Sequence, residues 1–281
     1  VHVAAFVARE RHAVLRTVTV PYPRVDSTAL VTAIARALTP RTRVAVVDHI
    51  TSESALVLPV TEIAAVCRQK GVAVLVDGAH VPGVLPLDIP GLGVDWYVAN
   101  LHKWACAPRS CGFLWADPSR QAGLHPPVIS WALDTGFTAE FDWVGTRDPV
   151  PWLAAPEGVA FLRDLDVDAV WRHNHDLAWH AATSLTARWG TELSFDRRDI
   201  GFMATVPLPD QLGHTTEDAA RLRDALLDGD QIEVQIHAGR GRLWVRVSAQ
   251  VYNDERDIAR LGEAVEKGTE RSGRPSRPNA V

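Results

Sequence analysis

Residues 72–88 read VAVLVDGAHVPGVLPLD, and residues 94–115 read VDWYVANLHKWACAPRSCGFLW. Each stretch opens on a short apolar run, and the first run ends at Asp77. Short apolar runs that alternate with amphipathic stretches are typical of β-α-β units on a mostly parallel sheet. The pattern therefore predicts an α/β protein.

The same alternation extends in both directions along the chain. Strands are predicted at 13–20, 44–47, 72–76, 94–98, 112–115, 201–206, 232–236 and 243–247. Helices are predicted at 27–38, with Ser27 as the cap, at 60–70, closed by Gly71, and at 153–165, 167–189, 216–227 and 255–267. These bounds predict a large domain over 1–165, a smaller α+β domain over 166–270 and a disordered tail over 271–281.

The composition limits the classes of partner and the cellular location that we expect for the protein. The 281 residues include 29 basic and 34 acidic side chains, a net charge of -5, so no broad positive field is expected to hold a nucleic acid. No apolar run approaches the ~20 residues that cross a bilayer, and the first residues carry charge too early for a secretory signal. We therefore predict a cytoplasmic protein with no membrane and no nucleic-acid partner.

The cysteines and the first residue of the chain are also informative. Cys67, Cys106 and Cys111 form an odd, sparse set without a CxxC metal pair, and we expect reduced, mostly buried thiols. Residue 1 is Val1 rather than Met, which is typical of a fragment, a processed product or an alternative start.

Asp77 and Lys103 form the most informative pair of side chains. Lysine is otherwise present only at Lys70 and Lys267, and strand ends of an open α/β sheet form the ligand crevice. Pyridoxal phosphate chemistry needs a lysine that forms a Schiff base and a carboxylate that keeps the pyridine nitrogen protonated. The spacing by itself equally fits a turn residue and a surface lysine.

Four separated motifs carry a family resemblance: VDGAH (76–80), NLHKW (100–104), GTRD (145–148) and RVSAQVYN (246–253). In this order they resemble the class V aminotransferase superfamily of pyridoxal phosphate enzymes, and in detail its isopenicillin N epimerase-like branch. The resemblance implies the fold type I architecture of pyridoxal phosphate-dependent transferases. It also implies a large domain with a mostly parallel sheet that is truncated at its N-terminus, so that 1–165 is the C-terminal part of the cofactor-binding domain.

The resemblance also implies roles for individual residues. Lys103 would form the Schiff base with pyridoxal 5′-phosphate, and Asp77 would face the pyridine nitrogen. His80 would lie beside the ring hydroxyl, where many relatives carry glutamine. His102 would bind the phosphate, with Asn100 nearby.

Two further motif residues, Thr146 and Arg246, lie outside the pair formed by Asp77 and Lys103. The resemblance implies that Thr146 reaches the cofactor phosphate of a neighbouring subunit, which predicts a homodimer, although GTRD also fits an ordinary turn. Arg246 lies on an apolar strand, where an unpaired charge is costly. The family pattern makes it the ligand of the substrate α-carboxylate, and an internal salt bridge is the alternative. Arg147 is left open between an anion contact and a structural pair.

Some expected groups are absent from the sequence. Residues 235–243, QIHAGRGRL, contain no cysteine, which argues against a desulfurase that carries its own persulfide. Cys106 and Cys111 are expected to be packed, small apolar side chains. His173, His175 and His180 lack a ligand set of metal-binding spacing, so we expect solvated or interface histidines and no metal.

The resemblance leaves three functions in view. The first is an epimerase-like enzyme that removes the α-proton of an amino acid or peptide-like substrate through Lys103. An alternative is a carbon–sulfur lyase acting on a cysteine conjugate. A non-catalytic remnant is the third, because the family pattern has further residues before the point matching Val1.

Overall fold

Two separate β-sheets organise the protein. The computed structural model describes residues 2–19 and 26–272. The first sheet contains β1 (Val44–Asp48), β2 (Ala73–Asp77), β3 (Trp96–Asn100) and β4 (Gly112–Ala116), in that spatial order. β1, β2 and β3 are parallel and β4 is antiparallel to β3, which confirms the mostly parallel sheet and the α/β class.

The second sheet is antiparallel and lies in the C-terminal half. It contains β5 (Met203–Pro207), β6 (Gln235–Gly239) and β7 (Arg242–Ser248), with β7 in the centre. The helices are α1 (His2–Glu10), α2 (Ser27–Ala37), α3 (Val60–Gln69), α4 (Ile89–Leu92), α5 (Phe137–Asp142), α6 (Val150–Leu153), α7 (Ala155–Asp164), α8 (Val167–Trp189), α9 (Thr216–Asp230) and α10 (Glu255–Ser272). Short 3-10 turns lie at Pro118–Arg120, Arg197–Asp199 and Asp210–Leu212.

Most helix boundaries follow from local capping chemistry. Asp26, and not the predicted Ser27, caps α2, because its carboxylate accepts from the backbone N–H groups of residues 28 and 29. Asp166 caps α8 in the same way, and Gly190 ends that helix in the left-handed conformation. Gly71 follows α3 with a φ of 66°, as the sequence predicts.

The predicted strand at 13–20 is wrong for residues 13–19, which form neither strand nor helix. The preceding residues form α1, which buries none of its side chains, and Val14 is exposed. An apolar run becomes a strand only when another strand pairs with it, and no strand of the described chain lies beside this one. Val20 lies outside the described residues.

One connected core joins elements of both sheets. Buried side chains of α3, β2, α8, β7 and α10 belong to the same cluster. The strand registers place Val44, Val46, Leu75, Val98 and Leu114 on the opposite side of the first sheet. On this side Val44 and Val46 of the edge strand β1 are exposed, and the other three side chains are half-buried.

The predicted domain boundary at 165/166 falls between α7 and α8 and remains a prediction. Helix α10 ends at Ser272, and the predicted disordered tail lies outside the described residues beyond it. None of the helices in the described parts of the chain is long and apolar enough to cross a membrane.

Two sequence expectations about buried side chains need correction. Cys67 and Cys111 are buried, but Cys106 is exposed, although Cys106 and Cys111 both lie on the loop between β3 and β4. His175 is buried rather than solvated: its ring stacks on Trp171, and its Nε2 lies 3.1 Å from the backbone oxygen of Arg197.

Candidate active site

A cavity of about 420 Å³ lies at the C-terminal edge of the first sheet. Because β1, β2 and β3 run parallel, their last residues meet at this edge, as expected for a ligand crevice of an open α/β sheet. Asp77 and Asn100, the final residues of β2 and β3, both line the cavity. Trp152 of α6 and Ser110 of the β3–β4 loop complete its polar and aromatic walls.

The carboxylate of Asp77 has no cationic side-chain partner among the described residues. Its Oδ1 accepts from the backbone N–H of Ala79 at 2.9 Å, and it forms no ion pair with any described residue. Asp48 is its partner in the β1–β2 register. Burial, together with the negative charge of Asp77, raises the pKa of Asp48. The strand ends therefore concentrate negative potential where a positively charged ring nitrogen would be stabilised.

The turn after Asp77 is held by a buried aromatic side chain. Gly78 donates its backbone N–H to Val98 at 2.7 Å, and a Cβ at Gly78 would lie 2.1 Å from the ring of Tyr97. The Tyr97 hydroxyl lies 3.0 Å from Nδ1 of His49, which follows β1. Burial lowers the pKa of His49 to about 4, so the ring is neutral at pH 7. This packing fixes the position of the Asp77 backbone.

Lys103 reaches His80 from the loop after β3. Its Nζ lies 3.1 Å from Nε2 of His80, and the indole N–H of Trp104 donates to His80 Nδ1 at 3.3 Å. Burial lowers the pKa of Lys103, and the positive charge of Arg246 acts in the same direction, whereas the charge of Asp77 opposes both. Lys103 makes no ion pair with any described residue, so its amine stays available for chemistry.

Arg246 enters the site from the second sheet. Its Nη1 donates to the backbone oxygen of Ser52 at 2.6 Å, while its buried Nε has no hydrogen-bond partner among the described residues. The alternative expectation of an internal salt bridge is wrong within this part of the chain, because its cationic head meets a carbonyl rather than a carboxylate. The charge of Arg246 contributes to lowering the pKa of both His80 and Lys103, so the three side chains share one electrostatic environment.

The remaining candidates are less closely joined. His102 donates from Nδ1 to the backbone oxygen of Cys111 at 2.9 Å. Thr146 is exposed on the loop between α5 and α6 and makes no described contact with Lys103. The guanidinium of Arg147 lies 4.5 Å from the centre of the Trp152 ring, a cation–π contact that links the GTRD motif to the cavity wall.

Three residues that contribute to the site are not predicted from the sequence. Trp104 was quoted in the motif next to Lys103, but its hydrogen bond to His80 depends on the tertiary fold. Ser52 acts through its backbone oxygen, for which residue type gives no signal. The role of Tyr97 could have been suspected from a tyrosine in an otherwise apolar strand next to a glycine turn.

The histidines of α8 do not form a metal site. No group of three or more metal-ligating side chains comes together in residues 2–19 and 26–272. Nε2 of His173 lies 3.0 Å from the backbone oxygen of Asn253, and Nε2 of His175 is hydrogen-bonded to the backbone oxygen of Arg197.

The available side chains fit pyridoxal 5′-phosphate. They supply an amine without a carboxylate partner at Lys103, and a carboxylate without a cationic partner at Asp77. They also supply the imidazole of His102 and, on the cavity wall, the amide of Asn100. These are the functional groups that hold the aldehyde carbon, the ring nitrogen and polar substituents of this cofactor.

Comparison with known proteins identifies the family of the chain. A family model described as aminotransferase class-V matches residues 1–261. L-cysteine desulfhydrase from Arabidopsis thaliana is 33% identical over 79% of this chain and 54% of the relative. Isopenicillin N epimerase from Streptomyces clavuligerus is 34% identical over 92% of this chain and 69% of the relative.

Solved structures show the same fold at low sequence identity. A cystine C–S lyase in complex with cysteine persulfide superposes with a TM-score of 0.74 at 21% identity, covering 94% of this chain and 71% of that one. An apo cysteine desulfurase from Thermococcus onnurineus NA1 superposes with a TM-score of 0.72 at 16% identity, covering 95% of this chain and 69% of that one.

The chain spans 50% to 61% of the length of three plant relatives described as L-cysteine desulfhydrases, from Oryza sativa subsp. japonica and Arabidopsis thaliana. The predicted fold type I architecture and the predicted cofactor, pyridoxal 5′-phosphate, are confirmed. Because the family model covers nearly the whole chain, the protein belongs to the class-V aminotransferases, in their isopenicillin N epimerase-like branch.

Proposed function

We propose that this chain removes the α-proton of an amino-acid-type substrate, with Lys103 as the base and Arg246 as the carboxylate ligand. The observation that carries the proposal is the common electrostatic environment of Lys103, His80 and Arg246 at the end of a parallel sheet. An amine 3.1 Å from a neutral histidine, near a guanidinium that has no carboxylate partner among the described residues, suits proton transfer next to a bound carboxylate.

When bound, pyridoxal phosphate supplies an electron sink for the negative charge that develops at the α-carbon. Asp77 would accept a hydrogen bond from the protonated ring nitrogen and so keep that proton in place. The lowered pKa of Lys103 favours the free amine, which can accept the α-proton at Nζ. His80 is proposed to lie beside the ring hydroxyl, and His102 and Asn100 to contact the phosphate.

Arg246 suits a substrate α-carboxylate because its guanidinium has donors to spare. Nη1 is bonded to the Ser52 backbone, and the buried Nε lacks a partner. A carboxylate oxygen would satisfy that N–H and would balance the half-buried positive charge. The planar fork of arginine fixes the orientation of such a ligand better than a lysine can.

Two outcomes can follow proton removal, and each has support among the relatives. Loss of a sulfur group from the β-carbon fits the similarity to L-cysteine desulfhydrases. In that reaction the Cβ–S bond breaks, its electron pair leaves with sulfur, and hydrolysis yields pyruvate, ammonia and a sulfur product. Return of the proton to the opposite face fits the similarity to isopenicillin N epimerases.

One experiment separates these outcomes. The full chain is incubated in deuterated buffer with pyridoxal phosphate and L-cysteine, L-cystine or isopenicillin N, beside Lys103→Ala. Pyruvate with a sulfur product supports the lyase, and deuterium at the α-carbon without pyruvate supports the epimerase. If neither appears above the Lys103→Ala level while the cofactor binds, the proposed catalysis is wrong. If the cofactor does not bind either, the non-catalytic remnant is favoured.

A homodimer is part of the proposal, with Thr146 serving the neighbouring subunit's cofactor phosphate. Its support is that Thr146 is exposed and that apolar side chains nearby in sequence are also exposed, with Trp131 91% exposed and Leu153 74% exposed. Subunits carrying Thr146→Ala and Lys103→Ala should each bind cofactor poorly. Mixing them should restore binding at the hybrid site that keeps both residues, and no restoration would contradict the shared site.

The cytoplasmic location remains a prediction. One Arabidopsis thaliana relative is described as chloroplastic, so compartments differ among similar proteins.

A further inference from the structure

His80 is hydrogen-bonded on both sides of its ring. It is 7% exposed, with Lys103 Nζ 3.1 Å from Nε2 and the Trp104 indole nitrogen 3.3 Å from Nδ1. A buried imidazole that meets a different group at each nitrogen has its proton placement decided by those neighbours.

Trp104 decides which nitrogen of His80 carries the proton. An indole N–H can only donate, so the hydrogen bond requires a lone pair on Nδ1. In a neutral imidazole the proton then resides on Nε2, the nitrogen that faces Lys103. Burial is the largest cause that lowers the pKa of His80 to about 4, which agrees with a neutral ring.

The Nε2–H tautomer constrains Lys103 in turn. An ammonium group has three donors and no acceptor, so it cannot bond to an N–H that points at it. The 3.1 Å contact is a hydrogen bond when Nζ is the free amine and its lone pair accepts from Nε2–H. Asp77 and Arg246 are the other charged groups that act on Lys103, and they oppose each other.

We propose that Trp104 is a positioning residue that fixes His80 as the Nε2–H tautomer, so that His80 donates to Lys103 and holds its amine in the unprotonated form. Trp104 acts through His80, to which its indole N–H is bonded. The proposal rests on the proposed role of Lys103, since only the free amine attacks an aldehyde or accepts a proton.

The surroundings of Trp104 make it a rigid donor. The side chain is 9% exposed and packs edge-to-face on Phe202, with ring centres 5.6 Å apart. Gly83 has a φ of 88°, and a Cβ there would lie 2.5 Å from the Trp104 backbone oxygen, so the two backbones are in close contact. The indole therefore keeps its direction without help from the cofactor.

The primary test measures the pKa of Lys103 in the full chain without cofactor or substrate. Trace acetylation with labelled acetic anhydride across a pH series, read by mass spectrometry, gives the free-amine fraction at each lysine. The chain has only three, and Lys70 and Lys267 serve as internal references. Trp104→Phe keeps the ring but removes the donor, and should raise the pKa of Lys103 by about one unit, the size of one net hydrogen bond.

A matched control and a double variant isolate the cause. Trp189→Phe removes an indole hydrogen bond of the same 3.3 Å length, to Gly262, and should leave Lys103 unchanged. In a His80→Gln background the effect of Trp104→Phe should disappear, because no imidazole remains to be fixed. An unchanged Lys103 pKa in Trp104→Phe, or a shift that persists in the His80→Gln background, would overturn the proposal.

A second measurement needs no substitution at Trp104. Nitrogen-15 NMR of the histidine-labelled chain, with His80 assigned by its loss in His80→Gln, should show a protonated Nε2 and an unprotonated Nδ1 at pH 7. A protonated Nδ1 would overturn the proposal even if Trp104→Phe failed to fold. Because neither measurement uses the cofactor, the proposed catalysis can fail while this inference stands, and the reverse.

Discussion

Acid destabilisation by His49 is a sharp prediction of the structure. His49 is buried at the end of β1, where its Nδ1 lies 3.0 Å from the Tyr97 hydroxyl. Burial lowers its pKa from 6.5 to about 4 in the folded protein. The unfolded chain therefore binds a proton at a higher pH than the folded chain, so stability is present above pH 6.5 and is lost as the pH falls towards 4.

The magnitude follows from these two pKa values. Between pH 7 and pH 5 the unfolded state gains most of a proton at His49 and the folded state gains little. By linkage, the free energy of unfolding should fall by about 2 kcal/mol from this histidine. Burial also lowers the pKa of His80 to about 4, so the wild-type chain should lose more than the share of His49 alone.

Urea unfolding at pH 7, 6 and 5 measures the effect. His49→Gln removes the titrating group, and its loss of stability between pH 7 and pH 5 should be smaller than that of the wild type by about 2 kcal/mol. The control is His214→Gln, at an exposed position before α9, which should retain the wild-type slope. Equal slopes for His49→Gln and the wild type would refute the assignment of a buried, neutral His49.

Two further predictions concern the turn and the carboxylate ligand. Gly78→Ala should lower the free energy of unfolding by about 1–3 kcal/mol, because its Cβ would overlap the Tyr97 ring. The control Gly229→Ala, which meets nothing within 4 Å on α9, should be neutral or stabilising by up to about 1 kcal/mol. Arg246→Lys should raise KM for the amino-acid substrate by about tenfold with a smaller change in kcat, and a kcat effect alone would contradict carboxylate binding.

Much of the secondary structure could be predicted because local chemistry sets it. Helix α8 matches its predicted bounds of 167–189, since a capping aspartate precedes it and a glycine follows it. The buried strand that ends at Asp77 was equally clear from its apolar run. The strand predicted at 232–236 begins only at Gln235, because the backbone N–H of Ile232 bonds to Leu226 and extends the end of α9.

The sequence motifs predict which residues belong to the site, but not most of the contacts between them. The contact between Lys103 and His80 joins the VDGAH and NLHKW motifs, and the roles expected for the two residues stay predictions. The hydrogen bond from Arg246 to Ser52 joins residues that are 194 positions apart in the sequence. Because the acceptor is a backbone oxygen, no pattern of residue types predicts it. Trp104 was likewise present in the motif, but its donor role depends on where the fold places His80.

Covalent capture of the cofactor tests the central claim most directly. The full chain is mixed with pyridoxal phosphate, reduced with borohydride, digested and analysed by mass spectrometry for pyridoxyl-lysine. The account predicts modification at Lys103 in large excess over Lys70 and Lys267, and its loss in Lys103→Ala. Equal labelling of the three lysines, or no labelling at Lys103, would contradict the assignment of Lys103 as the residue that holds the cofactor.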